Sequence, residues 1–295
     1  MPQLFVNRLT ILDFSYLHAE RGLLGESWLL DVVLEGGLDE QGMVLDFAEV
    51  KRSIKALVDE RFDHRLLLPM RYEGLVEQPR RGMSHLNFHT RAGWMLQHSS
   101  PEEAICRIDA EAITPDTVAE AIVAALLPGM PSNVESLSIR LRPESIDGAF
   151  YHYSHGLKHH CGNCQRIAHG HRSRLIIERD GIRAPELEAD WCERWRDIYI
   201  ATRADLCKEE DGQYLFGYES AQGRFLLRMP VERCYLVDTD STVENLAAHI
   251  AETLAGEHHG HHFRVHAFEG VDKGAIAEAR RPHLERCGSG TDRLR

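Results

Sequence analysis

Histidines and cysteines are concentrated in one short segment, HHCGNCQRIAHGH, which spans residues 159–171. Four histidines and two cysteines fall within these thirteen positions. Imidazole and thiolate are ligands that zinc prefers in proteins, and two cysteines separated by two residues also form redox pairs. From this segment alone, a metal site, a redox pair and a histidine-rich loop without chemistry all stay open.

Strand geometry would let His169 and His171 reach one ion. The sequence RSRLIIER that follows them is typical of a strand, and side chains two positions apart on a strand leave the same face. His155, at the end of YHYSH, would add a third imidazole, and three imidazoles with an open position are typical of catalytic zinc. A structural zinc site built from Cys161, Cys164 and the two later histidines is an alternative, although its H-x-H spacing is poor for a zinc finger.

The elements that must position these side chains occur twice. TPDTVAEAIVAALL begins at Thr114 and TDSTVENLAAHIAETL begins 125 residues later at Thr239. Glu144 and Glu269, which follow the next predicted strands, are also 125 residues apart, while the upstream matches have offsets of 137 to 145. Five matches in the same order indicate a duplicated domain.

The boundary between the two copies falls near SIDG, at residues 145–148. We therefore predict an N-terminal domain over residues 1–147, called copy one, and a C-terminal domain over 148–295, called copy two. Each copy has the pattern strand, strand, helix, helix, strand, with caps such as Asp46 and Thr114 at the predicted helix starts. The predicted fold class is α+β, with an antiparallel sheet and helices on one face.

Composition narrows the class of protein. The chain has 295 residues and a formal net charge of −12, which argues against a nucleic-acid binder, because phosphate neutralisation needs clustered Lys and Arg. No apolar run approaches the roughly 20 residues of a membrane helix, and no secretory signal is visible. Seven scattered cysteines favour reduced thiols in the cytoplasm over structural disulfides.

The segments YHYSH and CQRIAHGH together resemble the 6-pyruvoyl-tetrahydropterin synthase and 6-carboxy-tetrahydropterin synthase family, whose pattern is F-S-x-x-H followed by a cysteine shortly before H-G-H. Copy one keeps FSYLH, but it has LGES in place of H-G-H, so His18 and Glu26 read as relics of a lost zinc site. Copy one does keep an Asp-His pair, Asp63 and His64, which matches the family's catalytic dyad. Copy two has TRADLCKEED at that place.

The resemblance implies two tandem tunnelling-fold (T-fold) domains. Each would be an antiparallel four-stranded sheet with two helices on one face, and homo-oligomerisation would close the sheets into a barrel. The two copies are complementary, because copy two holds the zinc histidines and copy one holds the Asp-His pair. In single-domain relatives the active site lies between subunits, so the fused chain would divide one site between its two halves.

The resemblance also implies a zinc-dependent lyase with a small-molecule pterin substrate, 7,8-dihydroneopterin triphosphate. Zn²⁺ would be held by His155, His169 and His171. Cys164 would be the base, with Cys161 as its competitor. The product would be 6-carboxy-tetrahydropterin with acetaldehyde, on the way to 7-deazapurines such as queuosine, or 6-pyruvoyl-tetrahydropterin.

The remaining implied roles concern binding. Asp63 would orient His64, and Glu269 would hold the pterin ring, as Glu144 would in copy one. Basic residues for the triphosphate are available at Arg166, Arg172 and Arg174, although arginines near a strand are more often part of the solvated surface. The alternatives are a non-catalytic protein that binds zinc and pterin, a T-fold lyase or hydrolase acting on a related pterin or purine, and a structural oligomer without a ligand.

Overall fold

A computed structural model describes residues 1–38 and 40–282. The end of the predicted domain 148–295 therefore lies outside the described residues. None of the helices in these ranges combines the length and apolar character needed to cross a membrane. The four described helices are α1 (Phe47–Arg61), α2 (Pro115–Leu126), α3 (Pro185–Arg194) and α4 (Val243–Glu257).

The helix starts follow the capping signals in the sequence. The Asp46 side chain accepts hydrogen bonds from the backbone N–H groups of Ala48 and Glu49, so α1 begins where predicted. Thr114 and Thr117 form a reciprocal capping box at the start of α2, and Pro115 occupies the first turn, where a missing N–H costs nothing.

Strands are the commonest regular element of the described chain. The first half contains β1 (Gln3–His18), β2 (Gly22–Gly36), β3 (Leu66–Pro69), β4 (Leu75–Glu77), β5 (Met83–His89), β6 (Met95–Pro101), β7 (Ile105–Ile108) and β8 (Val134–Pro143). The second half contains β9 (Phe150–His155), β10 (His169–Arg179), β11 (Ile182–Arg183), β12 (Ile198–Thr202), β13 (Leu206–Glu210), β14 (Gln213–Ser220), β15 (Gly223–Pro230), β16 (Cys234–Val237), β17 (His262–Phe268) and β18 (Gly274–Arg280).

Each copy builds a sheet that is larger than predicted and mixed in direction. Copy one has five strands in the order β7-β3-β1-β2-β8, and copy two has the path β16-β12-β9-β10-β17-β18 with β11 paired to β10. Strand β3 runs parallel to β1 and β7, and β12 runs parallel to β9 and β16. The expectation of an antiparallel four-stranded sheet in each copy was therefore wrong. Short strands on either side of the segments β4–β6 and β13–β15, namely β3 and β7 and then β12 and β16, add parallel neighbours.

A third sheet, which the sequence did not predict, joins the two copies. Its order is β13-β14-β15-β6-β5-β4, and the junction is the antiparallel pair β15 and β6. Its inner face packs on an apolar core to which both copies contribute, including Leu66 and Phe88 from copy one and Tyr199 and Phe216 from copy two. The two halves therefore share buried surface and a continuous backbone hydrogen-bond network.

The two main sheets also touch directly, at Gly25 of β2 and Gly170 of β10. A Cβ added to Gly170 would lie 2.7 Å from the Gly25 Cα, and one added to Gly25 would overlap the Tyr153 carbonyl oxygen. The hydroxyl oxygens of Ser15 and Ser154 are 2.7 Å apart at the same crossing. Only glycine permits this close approach, and the approach brings β1 and β2 alongside β9 and β10.

Candidate active site

Three imidazoles converge beside this crossing. His155 ends β9 and pairs in register with His169 at the start of β10, and His171 lies two positions further along β10. One ring nitrogen from each of the three histidines lies within 4.8 Å of the others. All three side chains are buried. The predicted convergence of these histidines is therefore present in the fold.

The hydrogen bonds of two of these rings leave the Nε2 atoms for a metal. His155 Nδ1 lies 3.0 Å from the Ser241 carbonyl oxygen, and His169 Nδ1 lies 3.0 Å from the Arg166 carbonyl oxygen. The buried Nε2 atoms of all three histidines have no hydrogen-bond partner among the described residues. Burial, together with neighbouring imidazoles, holds the pKa of His155 and of His169 well below the usual value, which favours the neutral form that binds metals.

Asp13, which the sequence analysis missed, stands behind the third imidazole. Its Oδ1 lies 3.3 Å from His171 Nδ1, and the Ser27 hydroxyl donates to the same oxygen at 2.5 Å. Burial alone would raise the pKa of Asp13, but the charges of His171 and Lys273 hold it below its usual range. The signal in the sequence was a single acid within the apolar strand LTILDFSYLH. A carboxylate on the second nitrogen of a metal-binding histidine fixes the ring and its tautomer.

The Asp-His pair of copy one reaches the same place in the same chain. His64 Nδ1 lies 2.5 Å from Asp63 Oδ2, and Asp63 Oδ1 accepts a hydrogen bond from the Asp13 backbone N–H at 2.9 Å. The His64 ring stacks on the His169 ring with centroids 5.3 Å apart. The division of one site between the two copies therefore needs no second chain to bring these residues together.

Cys164 completes the cluster from the loop between β9 and β10. Its sulfur and one ring nitrogen each of His64 and His169 lie within 4.8 Å of one another. Burial lowers the pKa of His64, but hydrogen bonds and negative charge from Asp63 and Cys164 outweigh it and raise the pKa to about 10. Cys161 is exposed and belongs to neither group of converging metal-type ligands among the described residues, so the alternative structural zinc site is not formed.

Glu269 faces the histidine cluster from the turn between β17 and β18. Its Oε1 lies 3.9 Å from His171 Nε2, and its Oε2 lies 3.9 Å from the Lys273 ammonium. The same ammonium lies 3.2 Å from Asp13 Oδ2. Glu269 therefore presents carboxylate oxygens next to the unpartnered nitrogens of the cluster.

A cavity of about 550 Å³ opens onto the Asp-His pair and Asp13. Two of its cations, Lys55 of α1 and Lys273, come from different copies, and Arg8 is a third. Arg8 and Lys273 were not singled out in the sequence. The cavity is also lined by aspartates that pair with these cations: Arg8 lies near Asp272, Lys55 near Asp59 and Lys273 near Asp13.

The arginines considered for a triphosphate point elsewhere. Arg166 is buried and donates to the carbonyl oxygen of His64 at 3.1 Å. Arg172 donates to the carbonyl oxygen of Glu144 at 2.8 Å, and Arg174 lies 3.2 Å from Asp272. None of the three lines the cavity beside the Asp-His pair. Their role in binding a triphosphate stays a prediction. The alternative suggestion of a solvated surface was wrong for Arg166.

Strand register identifies what copy one holds at the metal positions. Gly25 pairs with Ser15 in copy one, and Gly170 pairs with Ser154 in copy two. Residues that lie equally far along the strands from these two pairs are therefore counterparts. Counted in this way, Tyr16 corresponds to His155, Leu24 to His169 and Glu26 to His171. Glu26 is a counterpart as predicted, but His18 is not, because it lies two residues beyond the relevant position and pairs with Gly22.

The other histidine-rich stretch, EHHGHHF, is a turn between α4 and β17. His261 Nδ1 pairs with Asp180 at 2.5 Å, and His262 Nε2 pairs with Glu278 at 3.3 Å. These side chains do not join a converging group of three ligands among the described residues.

Comparison with known proteins gives one family. The chain matches the model of 6-pyruvoyl tetrahydropterin synthase twice, over residues 12–151 and over residues 145–280. A search of curated proteins finds no match.

Two solved structures are similar to this chain. The 6-pyruvoyl tetrahydropterin synthase from Plasmodium falciparum has 16% identity, covers 48% of this chain and 90% of that chain, and has a TM-score of 0.40. The enzyme from Plasmodium vivax has 18% identity, covers 48% and 97%, and has a TM-score of 0.37. The two consecutive family matches span most of the sequence, and the chain therefore belongs, as a tandem pair of units, to the 6-pyruvoyl tetrahydropterin synthase family of metal-dependent lyases in pterin biosynthesis.

Proposed function

We propose that this chain is a zinc-dependent pterin synthase that eliminates triphosphate from 7,8-dihydroneopterin triphosphate. The product is 6-carboxy-tetrahydropterin, released with acetaldehyde, or 6-pyruvoyl-tetrahydropterin. The observation that carries the proposal is the convergence of three unpartnered, buried imidazole nitrogens with Cys164 and the Asp-His pair. This combination supplies ligands, a base and a proton-holding group within one site.

The donor set fits zinc. His155, His169 and His171 would hold the ion through their Nε2 atoms, and Asp13 would orient His171 from behind. Zinc bound there would supply a Lewis acid that stabilises negative charge on the substrate's side-chain oxygens. Three imidazole ligands leave a position for those oxygens, which is the pattern of catalytic rather than structural sites.

Cys164 is the proposed base that removes a proton from the substrate's side-chain carbon. A cysteine needs nearby positive charge to act as a thiolate near neutral pH. His64 supplies that charge, because its raised pKa keeps the imidazole protonated and its ring lies beside the sulfur. Asp63 stabilises the protonated ring through its hydrogen bond to Nδ1.

Glu269 is the proposed anchor for the pterin ring. A carboxylate accepts two parallel hydrogen bonds, which fits the ring N–H and the amino group on one edge of a pterin. The Lys273 ammonium keeps Glu269 in a polar, charge-balanced setting. Arg8 and Lys55 line the same cavity, and we expect them to receive the triphosphate in exchange for their present partners, Asp272 and Asp59.

Both main sheets end in strands that carry no further partner among the described residues, namely β7 and β8 in copy one and β16 and β18 in copy two. Exposed sheet edges are normally paired or covered. We propose that the chain forms a homo-oligomer in which such edges pair, as the family resemblance implies. Light scattering on the purified protein would measure the number of chains.

The function is tested by mixing the zinc-loaded protein with 7,8-dihydroneopterin triphosphate and following pterin products, triphosphate and acetaldehyde. We expect triphosphate release that stops when a chelator removes the metal and resumes when zinc is returned. Acetaldehyde in equal amount identifies the 6-carboxy product, and its absence identifies the 6-pyruvoyl product. Zinc-loaded protein that binds the pterin without releasing triphosphate would contradict the proposal and favour a non-catalytic binding protein.

A further inference from the structure

Arg166 is a buried cation at the centre of the contact between the two copies. Arg166 is almost inaccessible to solvent. Among the described residues its guanidinium forms no ion pair, and the negative charges of Asp63 and Glu103 act on it only from farther away. Burying an unpaired cation is costly. A buried cation that lacks an acidic partner therefore calls for an explanation from its other contacts.

The guanidinium of Arg166 binds main-chain oxygens of copy one. Nη1 donates to the His64 carbonyl oxygen at 3.1 Å and approaches the Asp63 carbonyl oxygen at 3.5 Å. His64 has a positive φ of 53°, a conformation that a non-glycine residue keeps only when surrounding contacts impose it. The backbone N–H of His64 is held by the Asp13 carbonyl oxygen at 2.7 Å, and Arg166 holds its carbonyl. These two contacts fix the peptide groups on both sides of the His64 Cα, which carries the imidazole.

The other contacts of Arg166 reach the cysteine loop and a metal-type histidine of copy two. Nε donates to Gln222 Oε1 at 3.2 Å, and Gln222 Nε2 donates to Asn163, the neighbour of Cys164, at 2.8 Å. The backbone carbonyl of Arg166 binds His169 Nδ1. One residue therefore connects the loop of Cys164, the ring of His169 and the backbone of His64.

We propose that Arg166 is a positioning residue that holds His64 of copy one against Cys164 of copy two, so that the two halves work as a single site. The inference rests on the proposed roles of Cys164 and His64. Its test uses thiol reactivity, which requires no pterin turnover. The positioning role and the proposed function can therefore fail separately.

The experiment is a double-mutant cycle on zinc-loaded protein that carries Cys161→Ser, so that Cys164 is the only thiol in its loop. The rate of Cys164 alkylation by iodoacetamide is measured by peptide mass spectrometry at one pH, with exposed Cys207 as an internal reference. We expect Arg166→Met and His64→Ala each to slow alkylation by about tenfold, because each removes the His64 ring from its place beside the Cys164 sulfur. The double variant should be slowed by about the same tenfold.

Arg172→Met is the matched control. Arg172 is partly buried and, like Arg166, donates to a backbone carbonyl, in this case that of Glu144. This substitution should leave the rate unchanged. If Arg166→Met does not fold, as judged by circular dichroism, Gln222→Leu replaces it and should slow alkylation in His64 protein but not in the His64→Ala background. A double variant slowed by the product of the two single effects, or an Arg166→Met rate equal to that of the Arg172→Met control, would overturn the proposal.

Discussion

The two copies place opposite chemistry at equivalent positions. In copy two the buried His171 is backed by the carboxylate of Asp13, while in copy one the buried Glu26 lies 3.8 Å from the imidazole of His152. Burial raises the pKa of Glu26 to about 7 and lowers the pKa of His152 to about 4, so at neutral pH His152 is neutral and Glu26 is about half protonated. The pair of His171 and Asp13 is arranged to bind a cation, whereas the pair of Glu26 and His152 needs none. The duplicated fold thus kept a metal-type ligand set on only one side.

The acid-base positions differ in the same way. His64 and Asp197 both have a positive φ, 53° and 55°. His64 lies two residues before Leu66, the partner of Ser15, and Asp197 lies two residues before Tyr199, the partner of Ser154. The counterpart of His64 is therefore Asp197, and the expectation that TRADLCKEED stands at this place was wrong. His64 faces Cys164. Asp197 instead accepts hydrogen bonds from two nitrogens of the Arg21 guanidinium, Nε at 2.8 Å and Nη2. A carboxylate fully engaged with an arginine offers no proton acceptor to a ligand. Copy one therefore contributes its Asp-His pair to the site of copy two, and copy two places no Asp-His pair at the corresponding position.

The largest effect is expected from the two loop cysteines. Cys164→Ser should lower kcat for triphosphate release by about a thousandfold, because a hydroxyl is a far weaker base than a thiolate. Cys161→Ser is the matched control and should stay within about twofold. Steady-state kinetics on zinc-loaded protein measures both, and a large loss with Cys161→Ser but not with Cys164→Ser would reverse the assignment.

The next effect compares the two positive-φ residues. His64→Gln should lower kcat by about a hundredfold with little change in KM, because it removes the proton-holding imidazole without removing a pterin contact. Asp197→Asn, at the equivalent position of the other half, should leave kcat within about twofold. Equal losses of kcat in the two variants would mean that the halves contribute alike.

Metal affinity compares the two backing residues. Asp13→Asn should weaken zinc binding by about tenfold to a hundredfold, because it removes the negative charge behind His171. His152→Asn changes the corresponding residue near Glu26 and should leave the affinity unchanged. Competition with a chromophoric chelator measures both constants. An unchanged affinity in Asp13→Asn would show that Asp13 does not support the ligand.

The smallest effect concerns the free energy of unfolding and depends on the buried Glu26 of copy one. Glu26 titrates near 4.5 when unfolded and near 7 when folded, so between these values the folded state binds more protons and stability falls as pH rises. Glu26→Gln removes that loss, and its Oε1 can still accept from the Ser27 N–H. We expect the free energy of unfolding to rise by about 1 kcal/mol at pH 8, since the new buried amide offsets part of the gain. Urea denaturation at pH 4.5 should show no gain, and an equal gain at both pH values would contradict the assignment.

The sequence predicted those parts of the molecule that depend on local patterns. The caps Asp46 and Thr114, the paired positions of His169 and His171, and the adjacent Asp63 and His64 are all visible within a few residues. The family resemblance, in which the active site lies between subunits, then implied that the last two pairs could meet. These inferences needed local spacing, a repeat and that resemblance, and no knowledge of how the chain crosses itself.

Features created by long-range pairing were not predicted. The junction of β6 and β15 joins residues about 130 positions apart, and neither strand carries a local signal of its partner. His18 looked like the counterpart of His155 because the letters of the two motifs align, whereas the register set by Gly25 and Gly170 selects Tyr16. Asp13 and Arg166 were likewise visible as residues but not as contacts, because their partners come from the other copy.

The central claim is that one chain builds one metal site from both of its halves. X-ray diffraction at the zinc absorption edge on the protein as purified would test it most directly. We expect one zinc ion per chain, bound by the Nε2 atoms of His155, His169 and His171, with Cys164 and His64 of that same chain beside it. A chain without a stoichiometric ion at these nitrogens, or with the Asp-His pair turned away from it, would contradict the account.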